Sequence, residues 1–376
     1  GLNYYEKAAI MNRDRASSAA PPFLSSNASP FNLQVSRFAV AAALGQPVAA
    51  PIRGVSNFEG VFFAQSGADA ANTGTRPASQ YTYSPGRSAT FNPNEYALSY
   101  PASDRLGALV LGERKVFGTD HVRAYGEVSY QQVRTENELA PSATGDFSTP
   151  GQAELVIPAR TPNPILSLID PLLGLMFQVP AGTFNIPGHF VPGPGTRIVN
   201  GVAQRLAAPG AYNPFNPFNQ DLAGDSRGRL VEFGNRILRN ETGALLLAAG
   251  LKGENVAGRW NFDSSFSYSA IRDRTRHRMN SVARFNQLVN AAAPIFTPGG
   301  PGYPGTSTPY NPFGYYRNPV AANAALIEYG RVLVRDRNES SLGQFQAVGS
   351  TRELLTLPAG PVGFAFGGEF RRERLD

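Results

Sequence analysis

Three pairs of segments in this chain alternate apolar and polar residues at every second position, and a very short link joins each pair. In the first pair, residues 105–117 (RLGALVLGERKVF) lead through Gly118, Thr119 and Asp120 into residues 121–136 (HVRAYGEVSYQQVRTE). Gly and Asp are residues that tight turns between antiparallel strands favour. Because successive side chains on a strand point to opposite faces, this pattern predicts β-hairpins with one apolar and one polar face.

The second and third pairs separate their two faces more sharply. Residues 242–253 precede residues 258–274, and residues 341–357 pass through PAGP into residues 362–374. One parity carries large apolar side chains, namely Trp260, Phe262, Phe266, Tyr268, Val362, Phe364, Phe366 and Phe370. The other parity carries polar or small residues, namely Asn261, Asp263, Ser265, Ser267, Ser269, Gly363, Ala365, Gly367, Glu369 and Arg371. The sequence therefore predicts long antiparallel strands with an aromatic face.

Long intervals rich in Pro, Gly, Asn and Tyr separate these hairpins, at residues 137–228 and 275–339. Loops of this length are uncommon in compact domains and tend to be functional or disordered. Long strands, a polar face opposite the aromatic one, and short turns that alternate with long loops are typical of outer-membrane barrels. The alternative is a soluble β-sandwich or β-propeller that buries the apolar faces in a protein core.

Composition narrows the classes of function. Hydrophobic residues make up 42% and charged residues 16% of the 376 residues, which is unlike a disordered chain. The chain contains 0 Cys and 3 His, and His121, His189 and His277 are far apart in the sequence. The sequence therefore predicts no metal site, no cofactor and no cysteine nucleophile. Its Ser, Asp and Glu residues form no catalytic motif with these histidines, so we expect that the chain is not an enzyme.

The formal net charge of +6 raises the question of an anionic partner. The densest basic run is IRDRTRHR at residues 271–278. A solvated strand end explains this run at least as well as nucleic acid does, and no recognised nucleic-acid-binding module accompanies it. We therefore predict no nucleic-acid partner and no phosphate site.

The segment NPILSLIDPLLGLMF, residues 163–177, is the most apolar stretch of the long intervals. Asp170 and Pro171 interrupt it, so it is too short to span a bilayer as a helix. Apolar residues recur at helical spacing, namely Ile165, Leu168, Ile169, Leu172 and Met176. This spacing predicts one or two short amphipathic helices.

Several segments in order resemble the barrel section of TonB-dependent outer-membrane receptors, closest to the large receptors with long external loops. They include residues 116–152, AYNPFNPFNQ (211–220), TPYNPFGYYR (308–317) and LPAGPVGFAFGGEFRRE (357–373). The resemblance covers most of the chain from residue 105, and LNYYEKAAIMNRDR (2–15) resembles the end of an earlier barrel strand. The expected fold is all-β, part of a large antiparallel transmembrane barrel with short helices in its loops.

The resemblance implies that residues 1–376 are a partial barrel domain of a longer receptor, with the plug domain, the TonB box and the C-terminal barrel strands outside it. Such receptors lie in the outer membrane of Gram-negative bacteria and bind a siderophore, a cobalamin or an oligosaccharide. A plug fills their 22-stranded barrel, and the TonB complex energises uptake. The implied partners are outer-membrane lipid, the plug domain, the TonB complex and a small-molecule or oligosaccharide ligand.

Two sets of residues are candidates for function under this interpretation. Aromatic residues on the predicted external loops could stack on a ligand, namely Tyr212, Phe215, Phe218, Tyr310, Phe313, Tyr315 and Tyr316. Their alternative role is structural, since Asn and Pro build turns and each Phe can anchor a loop. The polar strand parity points a second set toward the lumen or the plug, namely Arg123, Tyr125, Glu127, Asp263, Glu369 and Arg371.

A secreted or surface β-rich protein with an adhesive or structural role is the competing hypothesis. In that protein the aromatic strand faces would be buried between two sheets, whereas in a receptor they would contact lipid. The two hypotheses therefore differ in what surrounds residues such as Phe266 and Phe364.

Overall fold

The structure of the 376-residue chain is a computed structural model. It describes residues 1–20, 24–29, 31–47, 60–64, 77–84, 90–144, 155–182, 185–223, 226–314 and 320–376. A seven-stranded antiparallel sheet dominates it, and the order of the strands in the sheet follows the order in the chain. The strands are β1 (Leu2–Lys7), β2 (Ala102–Lys115), β3 (Val122–Leu139), β4 (Arg236–Val256), β5 (Trp260–Asn280), β6 (Arg331–Leu357) and β7 (Gly360–Leu375).

The predicted hairpins are confirmed as β2–β3, β4–β5 and β6–β7. The strands are longer than the alternating sequence pattern: β5 has 21 residues and β6 has 27 residues. Residues 275–280 and 331–339, predicted as loop, continue these two strands, because Asn280 still pairs with Arg331. Strand β1 and strand β7 each pair on one side only, so the described strands form an open sheet.

The connections differ sharply between the two ends of the sheet. Residues 116–121, residues 257–259 and the pair Pro358 and Ala359 form the short turns, all at one end, which we call the turn end. The other end, the loop end, carries the first loop (residues 8–101), the second loop (residues 140–235) and the third loop (residues 281–330). An antiparallel sheet in chain order requires this segregation, since every second connection returns to the same end.

Strand register divides the sheet into an aromatic face and a polar face. Phe266 of β5 pairs with Phe345 of β6, which pairs with Phe370 of β7, so these three side chains share one face. All Phe and Trp residues of the seven strands lie on this aromatic face, namely Trp260, Phe262, Phe266, Phe345, Phe364, Phe366 and Phe370. The polar face is mixed rather than uniformly polar, since Leu111 and Val348 are exposed on it.

The largest hydrophobic core lies in the loops and not on the sheet. Its fully buried members include Leu33 of the first loop, Phe218 and Phe233 of the second, and Phe285 and Phe313 of the third. The three loops therefore pack together as one cap at the loop end. Short helices within it confirm the expected helices in loops: Ala16–Ala19, Arg37–Leu44, Val282–Leu288 and Ala324–Gly330.

Short strands also lie in the described parts of the loops. They are Ile10–Met11, Asn32–Val35, Gly60–Ala64, Tyr81–Ser84, Leu98–Tyr100, Leu166–Asp170, Leu175–Val179, Val191–Pro192, Thr196–Val199 and Val202–Arg205. None of the helices in the part of the chain that the structure describes has the length and apolar character needed to cross a membrane.

The prediction of amphipathic helices at residues 163–177 is wrong. Strands Leu166–Asp170 and Leu175–Val179 form a hairpin there. The Asp170 carboxylate accepts hydrogen bonds from the backbone N–H groups of Leu172 (2.9 Å) and Leu173 (3.1 Å), which fixes the turn. Gly174 closes the turn at a φ of 64°, in the left-handed region. Asp, Pro and Gly at these positions are turn signals that outweigh the helical spacing of the apolar residues.

Candidate functional site

A network of charged and hydroxyl side chains lies on the polar face near the turn end. Glu113 of β2 accepts from Arg123 of β3 at 3.1 Å and from Lys252 of β4 at 2.9 Å. The Tyr125 hydroxyl donates to Asp263 of β5 at 3.0 Å, and the Lys252 ammonium lies 5.9 Å from the centre of the Tyr125 ring. Four neighbouring strands thus contribute to one network, because register places their residues on adjacent rows of the same face.

Gly250 makes the link between Tyr125 and Asp263 possible. It lies on β4 directly between the two strands that carry them, and it pairs with Tyr125. A Cβ atom at position 250 would lie 2.5 Å from the ring carbon Cζ of Tyr125. The absence of a side chain therefore lets the tyrosine ring cross β4 and reach the next strand.

All six residues predicted to line the lumen lie on the polar face, but only three of them belong to the network. Arg123, Tyr125 and Asp263 are members. Glu127 lies opposite Leu111 of β2, outside the network. Register places Glu369 opposite Gln346 of β6 and Arg371 opposite Gln344.

Sequence reasoning missed Glu113 and Lys252, the two residues that connect the network. Both fall within predicted strands, and parity alone could assign each to one of two faces. Strand register is needed to identify the network, because it places Lys252 opposite both Arg123 and Asp263.

An open groove of about 690 Å³ adjoins the network at the turn end. Lys252, Asp263, Arg259, Arg352 and Glu353 contribute charges of both signs to its lining. Such a surface suits a polar polypeptide better than a small apolar ligand, since ligand pockets are mostly apolar. Within the described ranges, no group of three or more His, Asp and Glu side chains is arranged to hold a metal ion.

Three Asn-Pro-Phe tripeptides in the loops share one local geometry. In each of them the Asn side-chain oxygen accepts a hydrogen bond from the backbone N–H of the Phe two residues later, at 3.0 Å. The pairs are Asn213 with Phe215, Asn216 with Phe218 and Asn311 with Phe313. This is the Asx turn that Asn favours, and Pro at the next position restricts the backbone further. The repeated tripeptide therefore forms the same type of turn at three positions.

The side-chain amides of Asn213 and Asn216 also make contacts beyond their own turns. The Asn213 amide donates to the carbonyl oxygens of Val289 (2.8 Å) and Tyr310 (3.0 Å), both in the third loop. The Asn216 amide donates to the carbonyl oxygens of Pro158 and Gln220 within the second loop. The first turn thus joins the second loop to the third, and the second turn stabilises the second loop.

Three of the aromatic residues predicted as ligand contacts are buried instead. Phe218, Tyr310 and Phe313 are 1%, 3% and 2% exposed, respectively. The Tyr310 hydroxyl donates to Glu232 at 2.7 Å, and burial first and the Glu232 carboxylate second raise the pKa of Tyr310 well above its ordinary value. This placement assigns the three rings to the core of the cap, because a ring without exposed surface cannot stack on an incoming ligand.

The remaining predicted ligand contacts are Tyr212, Phe215, Tyr315 and Tyr316. Tyr212 and Phe215 are partly exposed, and Phe215 packs against the cap core. Tyr315 and Tyr316 lie outside the described residues.

No protein-family model matches the chain, and comparison with curated proteins and with solved structures finds no match.

Proposed function

We propose that this chain forms a section of the barrel wall of a TonB-dependent outer-membrane receptor, which takes up a scarce nutrient of the siderophore, cobalamin or carbohydrate type. One observation carries the proposal. All Phe and Trp residues of β1–β7 lie on one face of the sheet, while the charged network lies on the other. Lipid on one side and an aqueous or protein-filled lumen on the other would account for this separation.

The apolar band on the aromatic face has the height that lipid contact requires. On β5 it runs from Trp260 to Ala270, and Arg272 begins a charged stretch beyond it. A rise of about 3.3 Å per residue makes this span about 33 Å along the strand. At the strand tilt of about 40° usual in barrels, its height is about 25 Å, which equals that of the lipid-facing band in outer-membrane barrels.

Exposure of the band supports a non-aqueous environment. The row of Phe266, Phe345 and Phe370 is 54%, 48% and 71% exposed. Soluble monomers rarely expose apolar patches that continue across several strands, because the hydrophobic effect favours covering them. Acyl chains would cover this band without a second protein layer.

The polar face supplies a surface for the plug domain that the proposal requires. The network of Glu113, Arg123 and Lys252 and the adjoining groove carry charges of both signs, which suits contact with another polar protein surface. The open edges of β1 and β7 would pair with further strands of the barrel. At the loop end, Tyr212 and Phe215 are the two described residues among the predicted ligand contacts that remain partly exposed.

Single-cysteine labelling tests the proposal directly, because the chain contains 0 Cys. Phe266→Cys places a label on the aromatic face, and Ser267→Cys places one on the polar face of the same strand. We expect a fluorophore at position 266 to be quenched by lipids that carry a quencher in their acyl chains. A fluorophore at position 267 is expected to respond to an aqueous quencher instead.

The competing hypothesis, a secreted or surface adhesion protein, gives a different result. Its aromatic face would be covered by a second sheet, so neither label would respond to lipid quenchers. Recovery of the protein in a soluble fraction without detergent would contradict the receptor proposal and favour this alternative.

A further inference from the structure

The basic run at residues 271–278 acquires a defined geometry in the sheet. Arg272, Arg274, Arg276 and Arg278 occupy alternate positions on β5, so all four lie on the aromatic face, immediately beyond the apolar band that ends at Ala270. All four side chains are exposed. The sequence pattern indicates a solvated strand end here. In the structure, these residues form a row of guanidinium groups on one face of the sheet.

Strand β6 adds arginines to the same face. Arg337 lies directly opposite Arg274, and Arg335 lies directly opposite Arg276. Like charges in directly opposed positions destabilise an antiparallel pair. We call the six residues of these two strands the arginine belt: Arg272, Arg274, Arg276, Arg278, Arg335 and Arg337.

Acidic residues compensate only part of the belt. Glu339 forms ion pairs with Arg272, at 3.2 Å, and with Arg337. Among the described residues, no carboxylate forms an ion pair with Arg276, Arg278 or Arg335. An anion from outside the chain would remove the repulsion across the strands.

A small cavity beside the belt provides room for such an anion. It has a volume of about 260 Å³, and residues of the four consecutive strands β2 to β5 line it. Four arginines and three carboxylates contribute to its lining, so its charge is positive by one; they are Arg134, Arg239, Arg274, Arg276, Asp104, Glu136 and Glu241. Two of the arginines are held by carboxylates, since Arg239 pairs with Glu136 and Arg134 with Glu241. Arg276 thus belongs both to the cavity and to an opposed arginine pair.

We propose that the arginine belt binds the phosphate groups of anionic lipids. This inference rests on the proposed position of the aromatic face in the membrane, which places the start of the belt at the level of the headgroups on the loop side. At the rise and tilt used above, Arg272 lies about 5 Å and Arg276 about 15 Å beyond Ala270, and the headgroup layer is about 5 to 8 Å thick. Arg272 thus lies within this layer, and the long side chains of the arginines farther along the strand can extend back toward it. Guanidinium groups bind phosphate oxygens in a bidentate manner, and opposed pairs match the double charge of a phosphate monoester.

A lipid titration of the intact protein tests this inference. Detergent-solubilised protein is titrated with phosphatidic acid, which carries a phosphate monoester, and with phosphatidylcholine, and bound lipid is counted by native mass spectrometry. We expect clear preference for phosphatidic acid. Because each arginine near a membrane surface contributes about 1 kcal/mol, Arg276→Gln/Arg335→Gln should weaken phosphatidic acid binding by about 30-fold.

Two further variants control for folding and for charge. Arg105→Gln/Arg371→Gln removes the same net charge from the polar face, so its lipid binding should equal that of the unchanged protein. Arg276→Lys/Arg335→Lys keeps the charge and loses bidentate geometry, so it should fall between the double Gln variant and the unchanged protein. A decrease of the same size in both Gln double variants would overturn the inference.

The remaining outcomes separate this inference from the proposed function. A protein that fractionates with outer membranes and binds both lipids equally would overturn lipid phosphate recognition and leave the receptor proposal intact. Inorganic phosphate that displaces phosphatidic acid at equal concentration would identify free phosphate as the ligand and also overturn it. Recovery in a soluble fraction would overturn both proposals together.

Discussion

The sheet and the cap of this protein solve the problem of apolar side chains in opposite ways. In the cap, Phe218, Phe285 and Phe313 are 1–2% exposed and belong to one core that loops distant in sequence form together. In the sheet, Phe266 and Phe370 are 54% and 71% exposed. The segments with irregular backbone thus carry a protein core, and the most regular segments leave their aromatic side chains outside.

Polar groups are likewise buried in the cap and exposed on the sheet. The cap buries an ion pair between Arg205 and Asp221, at 2.6 Å, whose carboxylate also accepts from the backbone N–H groups of Ala159 and Ala207. The polar face of the sheet leaves its network around Glu113 exposed. A cap with its own core can remain ordered in water, whereas the aromatic face of the sheet requires a partner, for which we propose lipid.

The largest expected effect separates the two regions by stability. Phe285→Ala removes a ring that contacts Phe233 and Tyr310 at the junction of the second and third loops. Deletion of a buried Phe side chain costs about 3 to 5 kcal/mol. We expect faster hydrogen exchange throughout the cap and unchanged exchange in β4 and β5.

Phe370→Ala is the matched control for this experiment. Its ring is exposed on an edge strand, so in detergent the substitution should change the free energy of unfolding by only about 0.5 kcal/mol. Equal effects of Phe285→Ala and Phe370→Ala would contradict the contrast between the two regions.

The second prediction tests the two faces of the sheet against each other. Phe345→Arg places a charge in the middle of the apolar band, and Gln344→Arg places the same charge on the polar face one residue earlier. A lipid-facing arginine near the bilayer midplane costs about 2 to 4 kcal/mol, and a lumen substitution costs far less. Folding titrations in lipid vesicles measure the difference, and equal costs at the two positions would refute the assignment of faces.

The strands could be predicted from the sequence because period-two alternation is a local property. Trp260, Phe262 and Phe266 identified the face of β5 without any knowledge of its neighbours. The end of β5 was missed because the apolar alternation stops near Ala270, whereas pairing with β6 continues to Asn280. Backbone pairing, and not hydrophobicity, determines where this strand ends.

Register and the cap could not be predicted, because both depend on residues far apart in the chain. The arginine belt exists only because Arg335 lies opposite Arg276, and parity cannot supply that alignment. The burial of Phe218 and Phe313 likewise depends on packing between separate loops. The helix expected at residues 163–177 does not form for a local reason, since the turn signals of Asp170 and Gly174 outweigh the helical spacing of the apolar residues.

The third prediction concerns the turns that hold the cap together. Asn216→Ala removes the acceptor for the Phe218 N–H and two donors to the carbonyl oxygens of Pro158 and Gln220. Buried polar groups left without a partner cost about 1 to 3 kcal/mol. Proteolysis of the loops, measured as a function of temperature, reports the thermal unfolding of the cap and should show this loss. Pro214→Ala, at an exposed position of the neighbouring turn, should cost less than about 1 kcal/mol.

The smallest effect is a pH dependence confined to one hairpin of the cap. Burial of the Asp170 carboxylate raises its pKa, but hydrogen bonds from Leu173, Leu172 and His189 outweigh burial and bring the pKa below the ordinary value. The unfolded hairpin therefore binds a proton at higher pH than the folded one. The stabilisation is complete above the unfolded pKa of about 4 and is lost as pH falls through the lower folded pKa.

Hydrogen exchange at the Leu172 and Leu173 amides, corrected for intrinsic rates, measures this loss, since both amides donate to Asp170. We expect their protection to decrease below about pH 4 while protection in β4 and β5 stays constant. Asp170→Asn keeps an acceptor oxygen and removes the titration, so its protection should not change over the same range. Acid sensitivity that persists in Asp170→Asn would assign the effect to another carboxylate of the cap, and acid sensitivity equal in cap and sheet would erase the distinction between them.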